Sequence, residues 1–264
     1  MPRLKRTQAE ERARAGTEFV ESLDRGLRVL QAFGAERRAM TLSDLAKSVN
    51  LPRATVRRIL MTLVRSGFAT GDDRLFALTP RVLLLASAYL ASDQITTVMQ
   101  PLMDEVAAKA RETCSLAILD RDEVVFVARS SPARISSSGP DIGYRLPAFC
   151  TAVGRVLLGG LPNPELTARI GAMTLKARTA RTLVDKPALI ATMIADRTRG
   201  YSLVEHEAEE DFRSISVPVA RYDGTVVAAA NIGAHVDRIT SGEMIDRLLP
   251  LLKEMSRAAR PLLL

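Results

Sequence analysis

The chain has 264 residues, 47% hydrophobic and 4% aromatic with no Trp, which is enough for two compact domains with real cores and argues against disorder and against stacking platforms for single-stranded nucleic acid. Its 37 Lys and Arg against 30 Asp and Glu give a net +7, and residues 1–80 alone hold 15 against 9, a net +6, so an N-terminal polyanion-binding module on a near-neutral partner domain is expected. No uncharged apolar run of about 18 residues occurs, no apolar stretch follows Met1-Pro2-Arg3-Leu4-Lys5-Arg6, and Cys114, Cys150, His206 and His235 are few and scattered, so a membrane span, a secretory signal, a disulfide framework and a zinc site are not expected. A cytoplasmic chain with reduced thiols and no cofactor is.

In chain order, residues 1–17 are charged and Ala-rich and read as a basic flexible arm. From Phe19 the pattern turns helical, with Leu23, Leu27, Val29, Leu30 and Phe33 at three- and four-residue spacings, and Gly34 stops it. Thr41-Leu42-Ser43-Asp44 has the form of a capping box opening a short helix with Leu42, Leu45, Ala46 and Val49 on one face. Asn50-Leu51 breaks that helix, and Pro52 fits the first turn of a third, which carries the stripe Val56, Ile59, Leu60, Leu63, Val64 and ends at Ser66-Gly67. Phe68–Thr70 and Leu75–Leu78, joined by Gly71-Asp72-Asp73-Arg74, read as a β-hairpin. Helix, short helix, turn, helix, hairpin over residues 18–79 is the layout of a winged helix-turn-helix.

The third helix indicates its use. Its apolar stripe leaves Arg53, Thr55, Arg57, Arg58 and Thr62 facing outward, and no acid occurs from Lys47 to Phe68. A helix start rich in Arg and Thr suits the major groove of double-stranded DNA, where Arg reads guanine edges and Thr meets phosphate or a thymine methyl. Arg74 at the hairpin tip is placed to reach flanking backbone or minor groove. Against this stand a merely solvated Arg face and a winged helix used for protein contacts; the second predicts no salt-steep DNA binding.

Thr79-Pro80 reads as an N-cap with Pro at the first helical position, opening a linker helix over 80–92 that is apolar almost all round (Val82, Leu83, Leu84, Leu85, Tyr89, Leu90). Such a helix is buried on several sides, against another subunit or within its own. Residues 93–264 alternate. Helices are expected at Ile95–Arg111, Thr151–Gly159, Pro164–Ile170, Pro187–Arg199 and Ser241–Arg260. Strands are expected at Ser115–Leu119, Val124–Arg129, Ser202–Val204, Ile215–Val219 and Val226–Ile232, so the fold class is α+β with antiparallel hairpins, as in a sensor domain.

These residues resemble the IclR-type transcriptional regulators over about residues 18–262. The most specific stretches are Phe19-Val20-Glu21-Ser22-Leu23-Asp24-Arg25-Gly26-Leu27, the segment Leu42 to Gly67, Arg145-Leu146-Pro147-Ala148-Phe149-Cys150-Thr151-Ala152-Val153-Gly154-Arg155, and Phe212-Arg213-Ser214-Ile215-Ser216-Val217-Pro218-Val219. The first stretch and the Leu146-Pro147…Cys150-Thr151 wording are similar to the branch that regulates aromatic-acid catabolism through the β-ketoadipate pathway. The resemblance implies a winged helix, a linker helix, a GAF-like effector-binding domain over 93–264, and a homodimer through the winged-helix and linker helices, often paired into a dimer of dimers. A dimer places two recognition helices about one DNA turn or its multiples apart, so an inverted-repeat operator is expected, contacted by Thr41, Arg53, Thr55, Arg57, Arg58, Thr62 and Arg74, with RNA polymerase a partner where the output is activation.

A sensor for a small carboxylate needs an apolar pocket with convergent donors: Arg forks, hydroxyls and helix-start amides. Arg134 and Arg145 flank the turn at 136–140, and Cys150 and Thr151 precede the helix containing Gly154. Carried over by position, the family's pocket points to Cys150, Thr151, Gly154, Glu205, Ser214, Asn231 and Gly233, the last two standing where some relatives have serine. Of the five acids between Glu205 and Asp211, Glu205 is kept and the rest read as a solvated loop. The competing class is an enzyme using Cys150, His206 and Asp211 as nucleophile, base and orienter. No Gly-x-Ser-x-Gly elbow or phosphate-cradling glycine loop supports it.

Overall fold

The computed structural model describes residues 19–34, 39–72, 74–92, 94–132 and 141–263, so the arm reading of residues 1–17 and the turn carrying Arg134 lie outside the described residues. Contacts divide the chain into two units, Met1–Tyr89 and Leu90–Leu264.

The first unit is built from α1 (Glu21–Gln31), β1 (Ala39–Met40), α2 (Leu42–Val49), α3 (Arg53–Arg65), β2 (Ala69–Gly71) and β3 (Phe76–Leu78), with the strands in order β1-β3-β2. Its core is Val29, Met40, Leu45, Ala46, Val49, Val56, Leu60 and Phe76: α2 and α3 bury their expected stripes, whereas of the stripe expected on α1 only Val29 is fully buried and Leu23 and Leu27 are exposed, the rest of the core coming from β1 and β3. Thr41 caps α2, its oxygen accepting from the Asp44 amide at 3.2 Å, and Asn50 ends α2 in the left-handed region at φ 52°. Strand β1 adds to the expected hairpin: two residues carry no readable period, and only pairing with β3 (Met40 opposite Phe76) makes them a strand. At the wing, Asp72 accepts from the amides of Leu75 and Arg74, which hold its carboxyl below the usual range. Thr79 accepts from the Arg81 amide, Pro80–Val82 forms a 3₁₀ turn, and α4 (Leu83–Ser92) follows.

The second unit has one antiparallel six-stranded sheet in order β6-β5-β4-β9-β8-β7, from β4 (Cys114–Asp120), β5 (Glu123–Ser130), β6 (Arg145–Pro147), β7 (Ser202–Glu205), β8 (Phe212–Ala220) and β9 (Val226–His235). One face packs on α5 (Gln94–Ala110) and the C-terminal helices α9 (Ser241–Glu243) and α10 (Leu249–Ala259), through Leu116, Ile215, Val217, Val219, Ala230, Ile232, Met103 and Leu252 among others. The other packs on α6 (Ala152–Gly159), α7 (Asn163–Ala172) and α8 (Lys186–Arg199), through Ala117, Phe126, Ala229, Val153, Leu157, Leu166 and Met193. The single C-terminal helix expected over Ser241–Arg260 is interrupted by a π-helical turn at Met244–Leu248 just before Pro250. Proline has no N–H to give to the preceding turn, and the helix widens where that bond is lost. Among the described residues, no single helix is long and apolar enough to cross a membrane.

Candidate nucleic-acid interface and effector site

Helix α3 presents its chemistry in the order the sequence dictates. Val56 and Leu60 are buried, while Arg53, Arg57, Arg58, Thr62 and Arg65 are exposed and Thr55 is half-buried. Pro52 at its start brings no side-chain cap, and the first turn holds no acid, so the positive end of the helix dipole and its unpaired N–H groups keep their full attraction for an anion. Two of the threonines are partly committed: the Thr41 hydroxyl bonds Asp44 at 2.7 Å while capping α2, and the Thr62 hydroxyl donates to Arg58 O at 2.9 Å. Arg74 is exposed at the tip of the wing.

The polar face of α3 is divided by a groove of about 630 Å³ between α1 and α3, floored by Leu23, Leu27, Leu30, Ile59 and Leu63 and bordered by Thr55, Arg58 and Thr62; Arg53 and Arg57 stand outside it. Phe19, Val20, Leu23 and Leu27 beside it are about half or more exposed.

In the second unit the start of α6 is tightly built. Ala148–Cys150 form a 3₁₀ turn, and Thr151 caps α6 by accepting from the Gly154 amide at 3.1 Å. A Cβ on Gly154 would lie 2.0 Å from the Ala148 carbonyl oxygen, so this glycine is required for the helix to approach the turn. Gly154→Ala is therefore expected to cost roughly 1–3 kcal/mol, read as a lowered thermal midpoint. Cys150 is buried, its thiol donating to Pro147 O at 3.7 Å, and burial pushes it up to about 11; burial and the Asp104 charge push Cys114 up to about 12.

Both thiols thus titrate higher in the folded chain than the ordinary 9.0. Their contribution to stability is intact below pH 9 and lost as the pH rises through 11 to 12, because the unfolded chain releases those protons first. Unfolding midpoints should fall over that window, and the Cys114→Ala, Cys150→Ala double variant should flatten the slope. A protonated thiol with its hydrogen given to a carbonyl, and a His206 whose Nδ1 is bonded to Glu210 O, do not form a nucleophile and base.

Beside α6 lies an ion pair the sequence did not reveal. Arg155 and Glu207 are buried, paired at 2.7 Å; Arg155 Nε donates to Phe149 O at 3.0 Å and Glu207 Oε2 accepts from the Leu183 amide at 2.8 Å. The Thr182 hydroxyl donates to Glu207 O, the Thr179 hydroxyl to His206 O and Arg178 Nε to Ala208 O, strapping residues 178–183 to the β7–β8 loop. Within the acidic run, Glu207 is thus the buried member.

Glu205 is drawn elsewhere. It pairs with Arg213 at 2.9 Å and accepts from Ser241, and Arg213 reaches Ile239 O, so both lie on the sheet face packed against the C-terminal helices. The alternation of strands puts residues 203 and 205 on that face and 202 and 204 on the other. The placement of Glu205 beside Ser214 and Asn231 is corrected accordingly. Arg145 sits half-exposed on the edge strand β6 with both sides of its guanidinium taken, by Asp120 at 2.6 Å and Glu123 at 2.7 Å.

Ser214, Asn231 and Gly233 do meet, on the α6 face. Ser214 pairs across the sheet with Gly233, whose missing Cβ makes room for the Phe212 ring, and Asn231 Nδ2 donates to Ser214 Oγ at 2.8 Å. Register also aligns a polar row: Arg129, Ser115, Asn231, Ser216 and Ser202 stand opposite one another across β5, β4, β9, β8 and β7. All five are buried or nearly so, with α6 packed across the last four strands. Single serines in apolar strands carry no such signal; only their register reveals it.

A winged helix-turn-helix with a cationic, acid-free recognition helix, joined to an α+β unit with a buried polar row, defines a two-domain DNA-binding regulator. Residues 22–73 match the IclR helix-turn-helix domain and residues 87–260 the bacterial transcriptional regulator IclR C-terminal domain, and the chain belongs to the IclR family. It is a transcriptional regulator and not an enzyme. It is 40% identical over 241 residues to the Pca regulon regulatory protein of Pseudomonas putida, covering 91% of this chain and 83% of that one. It is 34% identical over 250 residues to the p-hydroxybenzoate hydroxylase transcriptional activator of Acinetobacter baylyi, covering 93% and 92%. A crystal structure of an IclR homolog from Microbacterium hydrocarbonoxydans complexed with 4-hydroxybenzoate superposes with a TM-score of 0.75 at 26% identity, covering 91% of this chain and 98% of that one.

Proposed function

We propose that this regulator acts in the cytoplasm as a homodimer on an inverted-repeat operator, and that a small aromatic carboxylic acid bound on the α6 face of the sheet sets its output. The acid-free first turns of α3 carry the DNA reading: Arg53 and Arg57 approach base edges or phosphates, Arg58, Thr55 and Thr62 the flanking backbone, and Arg74 the groove beside the wing. Thr41 serves this surface by fixing the start of α2. The apolar groove beside α3 and the exposed Leu83, Leu84, Leu85 and Tyr89 of α4 support pairing of two copies through the winged-helix and linker helices. Where the output is activation, RNA polymerase is the further partner.

Ser214, Asn231 and Gly233, with Cys150, Thr151 and Gly154 at the start of α6, are the effector residues. The 4-hydroxybenzoate complex of a relative and the regulators of the pca and p-hydroxybenzoate genes support an aromatic-acid effector. Effector binding biases an equilibrium between two dimer geometries and so the spacing of the two recognition helices.

The test is selection of sites for the full chain from random duplex DNA, followed by affinity against salt. Sites of inverted symmetry and a loss of about 10³-fold or more between about 50 and 200 mM salt are expected. Salt-flat binding, or sites without symmetry, would overturn the reading. Thermal unfolding with 4-hydroxybenzoate, protocatechuate, β-ketoadipate and cis,cis-muconate tests the effector arm: a ligand at about 100 times its Kd adds roughly 2.7 kcal/mol.

A further inference from the structure

Tyr222 is the most exposed large apolar or aromatic side chain among the described residues, at 68%, yet its backbone is firmly held. It lies in the turn between β8 and β9, where the Gly224 amide donates to Arg221 O at 3.0 Å, the Arg221 amide to Thr225 O at 2.9 Å and the Thr225 amide to Asp223 Oδ1 at 2.8 Å. Gly224 closes the turn at φ 92°, which favours glycine. The segment after α10 clamps the same turn: the Tyr222 amide donates to Leu263 O at 3.1 Å, and Arg260 Nη2 donates to Tyr222 O at 3.2 Å. Leu263 is buried as the anchor of this clamp, while Pro261 and Leu262 beside it are exposed, Leu262 at 56%. Both backbone polar groups of Tyr222 thus serve to fix a ring that stays largely in water.

Three arginines flank this apolar tip. Arg221 and Arg260 lie near Asp223, whose carboxyl is held low by the bonds from Thr225 and then by these two charges. Arg257 is exposed on α10, one turn before Arg260. Among the described residues no carboxylate forms an ion pair with any of the three, and Lys253 and Glu254, a turn further back, offset each other. Three positive charges therefore stand against the single one of Asp223. Tyrosine and arginine carry much of the energy of protein interfaces, and a ring fixed before binding loses little freedom on binding. A second copy does not suit this surface, because two-fold pairing sets each patch against itself, three arginines facing three. Duplex DNA would satisfy the arginines but gain nothing from covering Tyr222, Pro261 and Leu262. We infer that the β8–β9 turn and residues 260–262 form a docking surface for an acidic protein segment that carries apolar side chains; resting on the reading of RNA polymerase as a partner, that segment belongs to the polymerase. Tyr222 and Leu262 pack on its apolar side chains, and Arg221, Arg257 and Arg260 meet its carboxylates.

The experiment uses the full chain and purified bacterial RNA polymerase holoenzyme in the absence of DNA, with Kd read by surface plasmon resonance, and the operator affinity of each variant beside it. The wild-type protein is expected to bind the polymerase, more weakly as salt rises. Tyr222→Ser is expected to weaken that binding roughly tenfold or more, and the double change Arg221→Glu, Arg257→Glu at least as much. Thermal midpoint, oligomeric state and operator affinity should stay unchanged in both, and either variant carries the test if the other fails to fold. Equal polymerase binding by wild type and variants overturns the docking surface while leaving the polymerase as a partner through another face. No binding by the wild type overturns both. Variants that lose operator affinity put the patch on DNA, and variants that change the oligomeric state put it between copies; either result overturns the inference.

Discussion

Glu207→Ala is expected to destabilise residues 90–264 by about 3–5 kcal/mol, a large fraction of the stability of most domains, because it leaves the Arg155 guanidinium buried without its counter-charge. The side chains of Arg155 and Glu207 are only 4% and 11% exposed, so water cannot replace the lost partner. The same change strips the Leu183 amide of its acceptor and loosens the strap over residues 178–183. Glu207→Gln keeps an oxygen for that amide and should cost clearly less. Replacing both partners by leucine should recover part of the loss, since the uncompensated charge goes with Arg155. Urea unfolding of the full chain checks this, as a shift of the transition belonging to the second unit; an unchanged midpoint would place the pair outside the stabilising network.

Arg53→Ala and Arg58→Ala are expected to act in the opposite way, on DNA and not on folding. Both side chains are exposed, so unfolding should change by no more than about 0.5 kcal/mol for each. In a dimer each arginine is used twice. A bidentate grip on guanine is worth about 1–3 kcal/mol per contact, so either change should weaken operator binding by about 2–6 kcal/mol and relax the preference at the base it reads. An arginine held to phosphate instead weakens all sequences alike and lowers the salt slope by about one per half-site. Arg58 borders the apolar groove and Arg53 does not, so the two should differ. If Arg58→Ala changes the concentration dependence of dimer formation and Arg53→Ala does not, the groove side of α3 faces the second copy.

The first unit is almost wholly legible in its residues. Its three helices announce themselves through three- and four-residue apolar spacing, Thr41, Asn50 and Pro52 mark their ends, and the absence of acids from Lys47 to Phe68 marks α3 as the cationic helix. These are local signals, each carried by residues within a turn or two of one another. The second unit yields its strands and helices but not its site. Glu205 and Glu207 are two residues apart in one acidic run, and strand alternation and the strap decide that one pairs with Arg213 and the other is buried against Arg155.

By itself, then, the sequence determined the class, the winged helix-turn-helix with its cationic third helix, and the α+β character, because charge asymmetry and hydrophobic period act over short stretches of chain. The tertiary structure decided what register alone controls. Arg129, Ser115, Asn231, Ser216 and Ser202 come from segments up to about a hundred residues apart, and only the pairing of five strands brings them into one buried row. A one-residue slip in any of those strands would turn its member to the opposite face, and no local pattern of serines and alanines fixes that choice.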